Sequence, residues 1–287
     1  MPRWKGINAM TSDIWLITGV SSGLGKAIAH AALEAGDTVV GTLRKTEDRI
    51  AFEALKPGRA HGVLLDVTDE AAVAPEVTRI EREIGPISVL VNNAGYGHEG
   101  LVEESSLDEM RRQFEVNVFG ATAMIKAVLP GMRARRSGRI INITSMGGLI
   151  TFPGLGIYHA SKFALEGLSE ALGKEVIGLG IRVTAVEPGA FRTDWAGRSM
   201  VRAPRSISDY DALMDPIRQR RASVSGSQIG DPTKAATAIV GLAKSEHPPV
   251  HLLLGSDAWQ FVDEKLERLR AELQEWKSVT LSTDFAN

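Results

Sequence analysis

The chain has 287 residues, enough to bury one sizeable core, and its 33 Lys and Arg residues against 35 Asp and Glu give a formal charge of -2. This near balance excludes the broad basic surface that binds nucleic acid or an anionic membrane, so the expected partners are small molecules and further copies of the chain. The absence of cysteine excludes a disulfide framework, thiolate catalysis and Cys-ligated metal, and we expect no metal site.

The chain carries no sequence signal of export or of membrane insertion. Residues 1–8 lack the apolar stretch of a signal peptide, and no apolar run approaches the roughly 20 residues that cross a bilayer. We therefore expect a cytoplasmic protein. Residues 1–11 precede the first strand pattern and are predicted to be a disordered arm, and residues 12–287 are predicted to form a single domain.

Short apolar runs rich in β-branched residues alternate with helical patterns along the chain. Such runs are typical of strands buried on both faces of a parallel sheet. The alternation predicts a doubly wound α/β fold of the Rossmann type, in which ligands bind beyond the carboxyl ends of the strands. The predicted strands are 14–17, 38–42, 62–65, 89–91, 139–143, 181–186 and 251–254. The main predicted helices are 25–35, 69–84, 107–135, 157–177, 232–245 and 257–277.

Two stretches stand out from this pattern. Residues 190–230 carry seven arginines and only one helix-like segment, 209–221, and a connection of this length predicts a substrate lid. The helix at 257–277 carries one apolar stripe, which we expect to cover the sheet edge or a partner subunit. The stripe consists of Trp259, Val262, Leu266, Leu269, Leu273 and Trp276.

A glycine-rich segment, Thr18 to Gly25, follows the first strand and opens the first helix. Glycines let the backbone turn tightly and approach a pyrophosphate, whose charge is stabilised by unpaired N–H groups at the helix start. The segment predicts a dinucleotide site, with an ordinary strand-to-helix turn as the alternative. The residues expected to contact the cofactor here are Gly19, Ser21, Ser22, Gly23, Leu24 and Gly25.

Arg44 follows the second strand, where an NAD enzyme usually holds a carboxylate for the adenosine ribose. A guanidinium binds a 2′-phosphate through two hydrogen bonds, whereas a carboxylate repels it. Arg44, supported by Ser21 or Ser22, therefore favours NADP(H), with NAD(H) kept as the second option. The alternative interpretation is a solvated surface arginine.

Tyr158 and Lys162 lie four residues apart at the start of a helix pattern, so they share one face. A phenol with a pKa near ~10 is a poor base at neutral pH, but a nearby ammonium favours the phenolate. Such a pair alone is more often an ordinary helix surface. Its position favours acid–base chemistry, because Ser145 ends the preceding strand, where ligands bind in this fold.

With these motifs in place, the sequence resembles the short-chain dehydrogenase/reductase family over nearly its whole length. The resemblance rests on the order of the motifs as well as on their residues. In chain order the motifs are the loop from Thr18 to Gly25, Asp66 with Val67, Asn92 to Gly95, Asn117, Ser145, Tyr158 with Lys162, and Pro188 and Gly189 with Thr193.

The resemblance implies a role for each matching residue. Tyr158 would be the acid/base, Ser145 would hydrogen-bond the substrate oxygen, and Lys162 would lower the tyrosine pKa and bind the nicotinamide ribose. Asn117 would hold a water that links Lys162 to solvent, unless a neighbour satisfies its amide. The remaining implied cofactor contacts are Asp66, Val67, Asn93, Ala94, Gly95, Pro188, Gly189, Phe191 and Thr193. His98 and His159 lie near these motifs and receive no role.

The predicted substrate pocket has a mainly apolar lining, which favours a hydrophobic ketone, aldehyde or alcohol. Arginines at positions 192, 198, 202 and 205 leave an acidic substrate as the alternative. The lining residues are Tyr96, Ser145, Leu149, Phe152, Leu155, Tyr158, Trp195 and Met200.

The sequence thus predicts an NADP(H)-dependent oxidoreductase that interconverts a ketone or aldehyde and its alcohol. An NAD-dependent epimerase or dehydratase is an alternative, but it would call for a carboxylate near Arg44 and a larger C-terminal region. A non-catalytic NADP(H)-sensing protein is a further alternative, typical where the tyrosine or lysine is lost. By resemblance, the helices from Leu107 and Ile157 would form homodimer or homotetramer contacts.

Overall fold

The computed structural model describes residues 12–193, 197, 199–224 and 226–285, so the predicted arm at 1–11 lies outside the described residues. The strands are β1 (Ile14–Ile17), β2 (Thr38–Leu43), β3 (Ala60–Leu64), β4 (Val89–Asn92), β5 (Gly97–Glu99), β6 (Gly138–Ile143), β7 (Ile181–Pro188), β8 (Met200–Arg202) and β9 (His251–Leu254). The α-helices are α1 (Gly23–Glu34), α2 (Thr46–Glu53), α3 (Glu70–Glu83), α4 (Leu107–Phe114), α5 (Ala121–Arg135), α6 (Gly156–Val176), α7 (Asp211–Ser223), α8 (Pro232–Ala243), α9 (Ser256–Glu275) and α10 (Lys277–Leu281).

Seven strands form one parallel sheet in the order β3, β2, β1, β4, β6, β7, β9. The order steps outward from β1 in both directions, so the predicted doubly wound α/β fold is confirmed. β1 pairs with β2 on one side and with β4 on the other. This point, where the strand order reverses, is where such sheets open a crevice for ligands.

The hydrophobic core lies on both faces of the sheet, because successive strand side chains point to opposite faces. On one face, Trp15 and Ile17 pack in a cluster with Ile28 of α1 and Ile239 of α8. On the other face, the cluster contains Leu16 together with residues of α3 and α5. These side chains are fully buried, and each contributes about 1.5–3 kcal/mol to stability.

The helix predicted at 107–135 is divided in the structure. α4 and α5 are separated by a π-helical turn, Glu115–Gly120, which holds Asn117. Such wider turns are frequent at functional sites. The helix α2 was not predicted, because only Phe52 of its eight residues is buried and its apolar periodicity is therefore weak.

The predicted lid has more order than its sequence indicates. The helix expected at 209–221 is α7, and β8 adds a parallel pairing with β5 outside the main sheet. The side chain of Met214 is buried against the body of the protein. The Glu104 carboxylate accepts hydrogen bonds from the backbone N–H groups of Ser206 at 2.8 Å and Ile207 at 3.0 Å.

Among the described residues, no helix combines the length and the apolar character that crossing a bilayer requires.

Candidate active site

The candidate site lies at the carboxyl ends of the central strands. Ser145 follows β6 after one residue, and Tyr158 lies in the first turn of α6, so both side chains reach the same crevice edge. The Ser145 hydroxyl hydrogen-bonds the Tyr158 phenol and also accepts from the Gly147 N–H at 3.0 Å. Ser145 and Tyr158, which the sequence places 13 positions apart, are thus in direct contact.

The Tyr158 side chain is buried, with 6% of its surface exposed. Burial raises the pKa of Tyr158 to about 12, and the hydrogen bond from Ser145 opposes this rise. The sequence predicts that Lys162 lowers the pKa of Tyr158, but in the protein without cofactor Lys162 is not one of the groups that shift this pKa. At neutral pH the phenol therefore carries its proton, which is the form that donates.

Lys162 lies one helical turn beyond Tyr158, and its Nζ is 5.8 Å from the centroid of the tyrosine ring. The ammonium donates a 2.9 Å hydrogen bond to the Ile143 carbonyl, at the end of β6. Burial lowers the pKa of Lys162 to about 8, and the Glu166 carboxylate acts in the opposite direction. Lys162 is therefore a tightly placed cation whose proton is easier to remove than that of a surface lysine.

Behind Lys162 lies a cluster of two buried carboxylates and a histidine. The His251 Nδ1 is 2.8 Å from a Glu187 oxygen and 3.4 Å from a Glu166 oxygen. Burial raises the pKa of Glu187 to about 7, and the neighbouring Glu166 raises it further. The cluster joins α6 to β7 and β9, and no sequence periodicity predicts it because the three residues lie on three separate elements.

Asn117 is buried, and its side chain connects two parts of the site. Its Nδ2 donates to the Ser161 hydroxyl at 3.1 Å and to the Tyr96 carbonyl at 3.2 Å, while its Oδ1 accepts from the Tyr96 N–H at 3.2 Å. Ser161 in turn donates to the Tyr158 carbonyl at 2.7 Å. Neighbours thus satisfy the amide, which was one of the two interpretations, and the water relay stays a prediction.

His159, to which the sequence assigned no role, supports the loop after Ser145. Its Nδ1 is 2.8 Å from the Gly147 carbonyl, and its Nε2 accepts the Phe152 N–H at 2.9 Å. An accepting Nε2 requires the neutral ring, with the proton on Nδ1. Burial lowers the pKa of His159 and so favours this form. In the sequence, only the position of His159 directly after Tyr158 could have indicated this supporting role.

The glycine loop has the geometry of a cofactor cradle. Gly19 and Gly23 adopt φ values of 74° and 58°, which favour glycine. At Gly25 a Cβ would lie 2.3 Å from Asn93 Nδ2, so only glycine lets α1 approach β4 this closely. Ser22 begins α1 without a side-chain cap, which leaves the first-turn N–H groups available to a pyrophosphate. The residues present fit a dinucleotide.

The end of β4 is fastened to this loop. The Thr18 hydroxyl accepts the N–H groups of Asn93 and Ala94, both at 2.9 Å. Asn93 returns a hydrogen bond from its amide to the Thr18 carbonyl at 2.9 Å. Asn93 and Ala94 thus lie beside Gly19, and Gly95 follows them on the surface. Their contact with a cofactor stays a prediction.

Arg44 and Asp66 are exposed just beyond the ends of β2 and β3, whereas Val67 is buried in the core cluster that contains Leu16. The backbone N–H groups of Gly19 and Val20 donate to Thr42 at 3.1 and 3.3 Å, which joins the end of β2 to the loop. Arg44, two residues further on, is exposed and has no ion-pair partner in the described part of the chain. The Asp66 carboxylate accepts from the Thr68 N–H at 3.0 Å and forms a turn after β3.

The loop after β7 lies on the opposite side of the crevice. The Gly189 N–H donates to the Leu254 carbonyl at 2.8 Å, and the Thr193 N–H donates to the Phe191 carbonyl at 2.8 Å. A Cβ on Gly23 would lie 3.8 Å from the Thr193 Cβ, so this loop borders the glycine loop. Pro188 ends β7 and begins this border.

The residues predicted to form the apolar lining lie mainly on loops. Gly100 forms a bridge with Leu155, and the Phe152 ring packs edge-on against Phe261 with a centroid distance of 5.6 Å. Tyr96 and Leu149 are half-buried on either side, and Met200 begins β8. Trp195 lies outside the described residues.

The lid arginines within the described residues mainly engage the protein itself. Arg202 pairs with Glu99 at 3.1 Å, and Arg205 pairs with Asp211 at 2.6 Å. Arg192 donates to the Gln228 carbonyl at 3.1 Å. Position 198 lies outside the described part of the chain. Arg202 and Arg205 are thus paired with carboxylates, whereas within the described residues the Arg192 side chain is held only by a backbone carbonyl.

Comparison with known proteins identifies the family. The short chain dehydrogenase family matches residues 13–201. An oxidoreductase named BOA17 from Botryotinia fuckeliana is 39% identical over 273 residues, which cover 95% of this chain and 99% of the relative. An NADPH-dependent 3-dehydrocapnine reductase from Ornithobacterium rhinotracheale is 35% identical over 227 residues, which cover 77% of this chain and 80% of the relative.

Solved structures agree with this assignment. A short-chain dehydrogenase from Streptomyces avermitilis has a TM-score of 0.89 and 43% identity, covering 96% of this chain and 100% of its own. The protein ElxO with NADP bound has a TM-score of 0.70 and 27% identity, covering 85% of this chain and 96% of its own. The chain therefore belongs to the short-chain dehydrogenase/reductase family, whose members are oxidoreductases acting on CH–OH or C=O groups.

Proposed function

We propose that the protein interconverts an apolar ketone or aldehyde and its alcohol with NADP(H), and that Tyr158 is its acid/base. The observation that carries the proposal is the Tyr158 phenol, buried and hydrogen-bonded to Ser145, with the Lys162 ammonium 5.8 Å from its ring. A proton donor, an oxygen-binding hydroxyl and a fixed cation thus share one crevice edge.

NADP(H), when bound, supplies the hydride. The glycine loop and the free N-terminus of α1 would hold its pyrophosphate, and Arg44 would bind the 2′-phosphate. Asp66 and Val67 would border the adenine, and the segment from Pro188 to Thr193 would border the nicotinamide. The NADP-bound relative of similar fold supports this choice of cofactor.

Tyr158 performs the proton transfer in this proposal. Because burial raises the pKa of Tyr158 to about 12, the phenol is protonated at neutral pH and is ready to donate to a carbonyl oxygen during reduction. Ser145 donates a second hydrogen bond to that oxygen and stabilises the negative charge that develops on it. Lys162 stabilises the phenolate that remains, by charge attraction.

An apolar substrate is supported by the composition of the wall and by the lid. Leu149, Phe152 and Leu155 offer hydrocarbon surface, whereas Arg202 and Arg205 of the lid are paired with Glu99 and Asp211. The relative named an NADPH-dependent 3-dehydrocapnine reductase supports the choice of a reduction that uses NADPH.

The test is oxidation of NADPH and of NADH by the purified protein over a panel of apolar ketones and aldehydes, with carboxylated analogues alongside. We expect turnover with NADPH on the apolar members and a loss of about 10²–10⁴-fold in kcat for Tyr158→Phe, since the proton donor is removed. NADPH binding, followed by its fluorescence, should be unchanged in that variant.

Other outcomes would contradict specific parts of the proposal. Full turnover by Tyr158→Phe would exclude Tyr158 as the acid/base. A preference for carboxylated substrates would overturn the apolar assignment. Tight NADPH binding without turnover of any carbonyl would favour the sensing protein instead.

A further inference from the structure

The C-terminal helix leaves the body of the protein. At its start, Ala258 and Val262 of α9 are buried, and Phe261 packs against the substrate wall. From residue 266 to residue 285 every residue is exposed. This stretch comprises the second half of α9 and the short helix α10, and helical segments of such length without tertiary contacts are marginal in water. Among the described residues, only the first two turns of α9 therefore pack against the body of the protein, where the sequence predicts that the stripe covers the sheet edge or a partner subunit.

The exposed part is not polar throughout. Leu266, Leu273 and Trp276 expose 59%, 63% and 58% of their surface, and Trp259 near the body exposes 64%. Single exposed apolar residues are ordinary, but a continuous row of large ones marks a contact surface. The row needs an apolar partner.

The spacing of the row is that of a coiled coil. From Trp259 the apolar residues alternate steps of three and four without interruption, which produces the narrow a/d seam of paired helices instead of the broader face of a core-packed helix. The a positions are Trp259, Leu266 and Leu273, and the d positions are Val262, Leu269 and Trp276. Val262 is buried against the body of its own chain, so the other five side chains are the ones left for a partner.

The charges beside the seam are self-complementary in one orientation. If two copies of α9 run antiparallel with Leu266 opposite Leu269, the flanking Lys265 of each copy lies beside Glu272 of the other. Asp263 likewise lies beside Arg270, so symmetry produces four opposite-charge pairs. A parallel pair would instead place Lys265 beside Arg270. None of these four side chains has an ion-pair partner within the described residues.

We propose that α9 is a dimerisation helix that pairs with α9 of a second copy as an antiparallel coiled coil. At 1.5 Å per residue, the paired region from 259 to 276 is about 25 Å long. This surface is separate from the helices that begin at Leu107 and Gly156, on which the family resemblance places the oligomer contacts.

The first test uses the absence of native cysteine, so that any disulfide comes from introduced residues. In the antiparallel arrangement residue 259 faces residue 276 of the second copy. The variant Trp259→Cys/Trp276→Cys should therefore form a covalent dimer under mild oxidation, seen on a denaturing gel. Within one chain these positions are about 25 Å apart along the helix, too far for a disulfide.

Two control variants make the result specific. Trp259→Cys alone should stay monomeric on the gel, because its counterpart lies at the far end of the pair. The variant Glu264→Cys/Ala271→Cys, with both positions on the face of α9 opposite the seam, should also stay monomeric. Efficient crosslinking of Trp259→Cys alone would indicate a parallel pair, and absence of crosslinking in the double variant would refute the pairing. Either result overturns the proposal.

A charge swap tests the pairing without cysteine. Lys265→Glu places like charges at two contacts and should raise the dimer dissociation constant about 10-fold in sedimentation velocity. Adding Glu272→Lys to that variant should restore the wild-type constant, since the opposite charges are regained in reversed order. Failure of the second substitution to restore dimerisation, or no effect of the first, would contradict the antiparallel model. NADPH binding provides the check that each variant is folded.

Discussion

Lys162 is a buried ammonium whose location works against stability. Its pKa is about 8 in the folded protein, below the ordinary value of 10.5. At neutral pH the lysine is charged in both states, but the unfolded state binds the proton more tightly, so the charge lowers the free energy of unfolding. We expect Lys162→Met to raise the free energy of unfolding by about 2 kcal/mol at pH 7, after allowance for the lost hydrogen bond to Ile143. The gain should vanish above pH 10.5, where both states are neutral.

The same substitution should cost activity. Without the cation the Tyr158 phenolate is no longer stabilised, and kcat should fall by about 100-fold or more. Urea unfolding at pH 7 and at high pH, together with NADPH oxidation, measures both effects. Lys174→Met, at the exposed end of α6, is the matched control and should change neither quantity appreciably. A destabilised Lys162→Met would show that the ammonium is a net structural asset.

His159 makes the substrate loop sensitive to acid. Its folded pKa is lowered by burial, with Arg221 of α7 contributing in the same direction and the Gly147 hydrogen bond opposing it. The loop is therefore intact above the ordinary histidine pKa of about 6.5, and its stability falls as the pH drops below that value and the ring is driven towards protonation. A protonated Nε2 no longer accepts the Phe152 N–H.

If the loop after Ser145 positions the substrate as proposed, the KM for an apolar ketone should rise in acid, with kcat affected less, because His159 does not take part in the proton transfer. His159→Phe should raise KM about 10-fold and remove this pH dependence, since two hydrogen bonds are lost at every pH. His159→Gln, which retains a donor and an acceptor, should recover a low KM without titrating. An acid rise in KM that persists in His159→Gln would assign it to another group.

At the scale of elements, the end of β2 determines the charge offered to the cofactor. The hydrogen bonds from Gly19 and Val20 to Thr42 place that end beside the glycine loop, so the charge at position 44 lies at the mouth of the crevice. Arg44→Asp should lower kcat/KM for NADPH at least about 100-fold and raise that for NADH, because a carboxylate repels the 2′-phosphate and binds ribose hydroxyls.

Steady-state kinetics with both coenzymes measures this switch. Arg49→Asp, on the neighbouring helix α2, tests whether any nearby charge change has the same effect and should preserve the NADPH preference. An unchanged coenzyme preference in Arg44→Asp would mean that Arg44 is a solvated surface residue.

At the scale of the whole molecule, the cluster of Glu166, Glu187 and His251 joins α6 to the last two strands of the sheet. Because the pKa of Glu187 is raised to about 7, its contribution to stability is complete below the ordinary value near 4.5 and is lost as the pH rises through 7. Glu187→Gln should therefore raise the thermal midpoint by about 3 °C at pH 8 and leave it unchanged at pH 4.5.

Thermal unfolding of the wild type and of Glu187→Gln at the two pH values measures this difference. Glu170→Gln, an exposed carboxylate on the same helix, is the control and should show little change. A lower midpoint for Glu187→Gln at pH 8 would mean that the charged form is stabilised by His251.

The sequence alone determined the fold and the identity of the family. Apolar runs bounded by glycine and polar residues are local signals, so all seven strands of the sheet were predicted, and motifs such as Thr18 to Gly25 retain their order in the chain. Helix α2 and the division between α4 and α5 escaped prediction. Helix α2 is largely polar, and the π-helical turn between α4 and α5 lies inside an otherwise helical sequence pattern.

Only the tertiary structure decided which side chains meet. Three examples are the hydrogen bonds of His159 to Gly147 and Phe152, the carboxylates behind Lys162 and the ion pairs of the lid arginines. These contacts depend on long-range packing or on exact backbone placement, for which sequence periodicity carries no signal. The balance between burial and charge at Tyr158 is likewise tertiary, since the Tyr–Lys spacing predicted a lowered pKa and desolvation raises it. The exposure of α9 beyond residue 265 also follows only from the tertiary structure. The apolar stripe in the sequence predicts a packing contact, and only the fold shows that no other part of the described chain packs against this end of the helix.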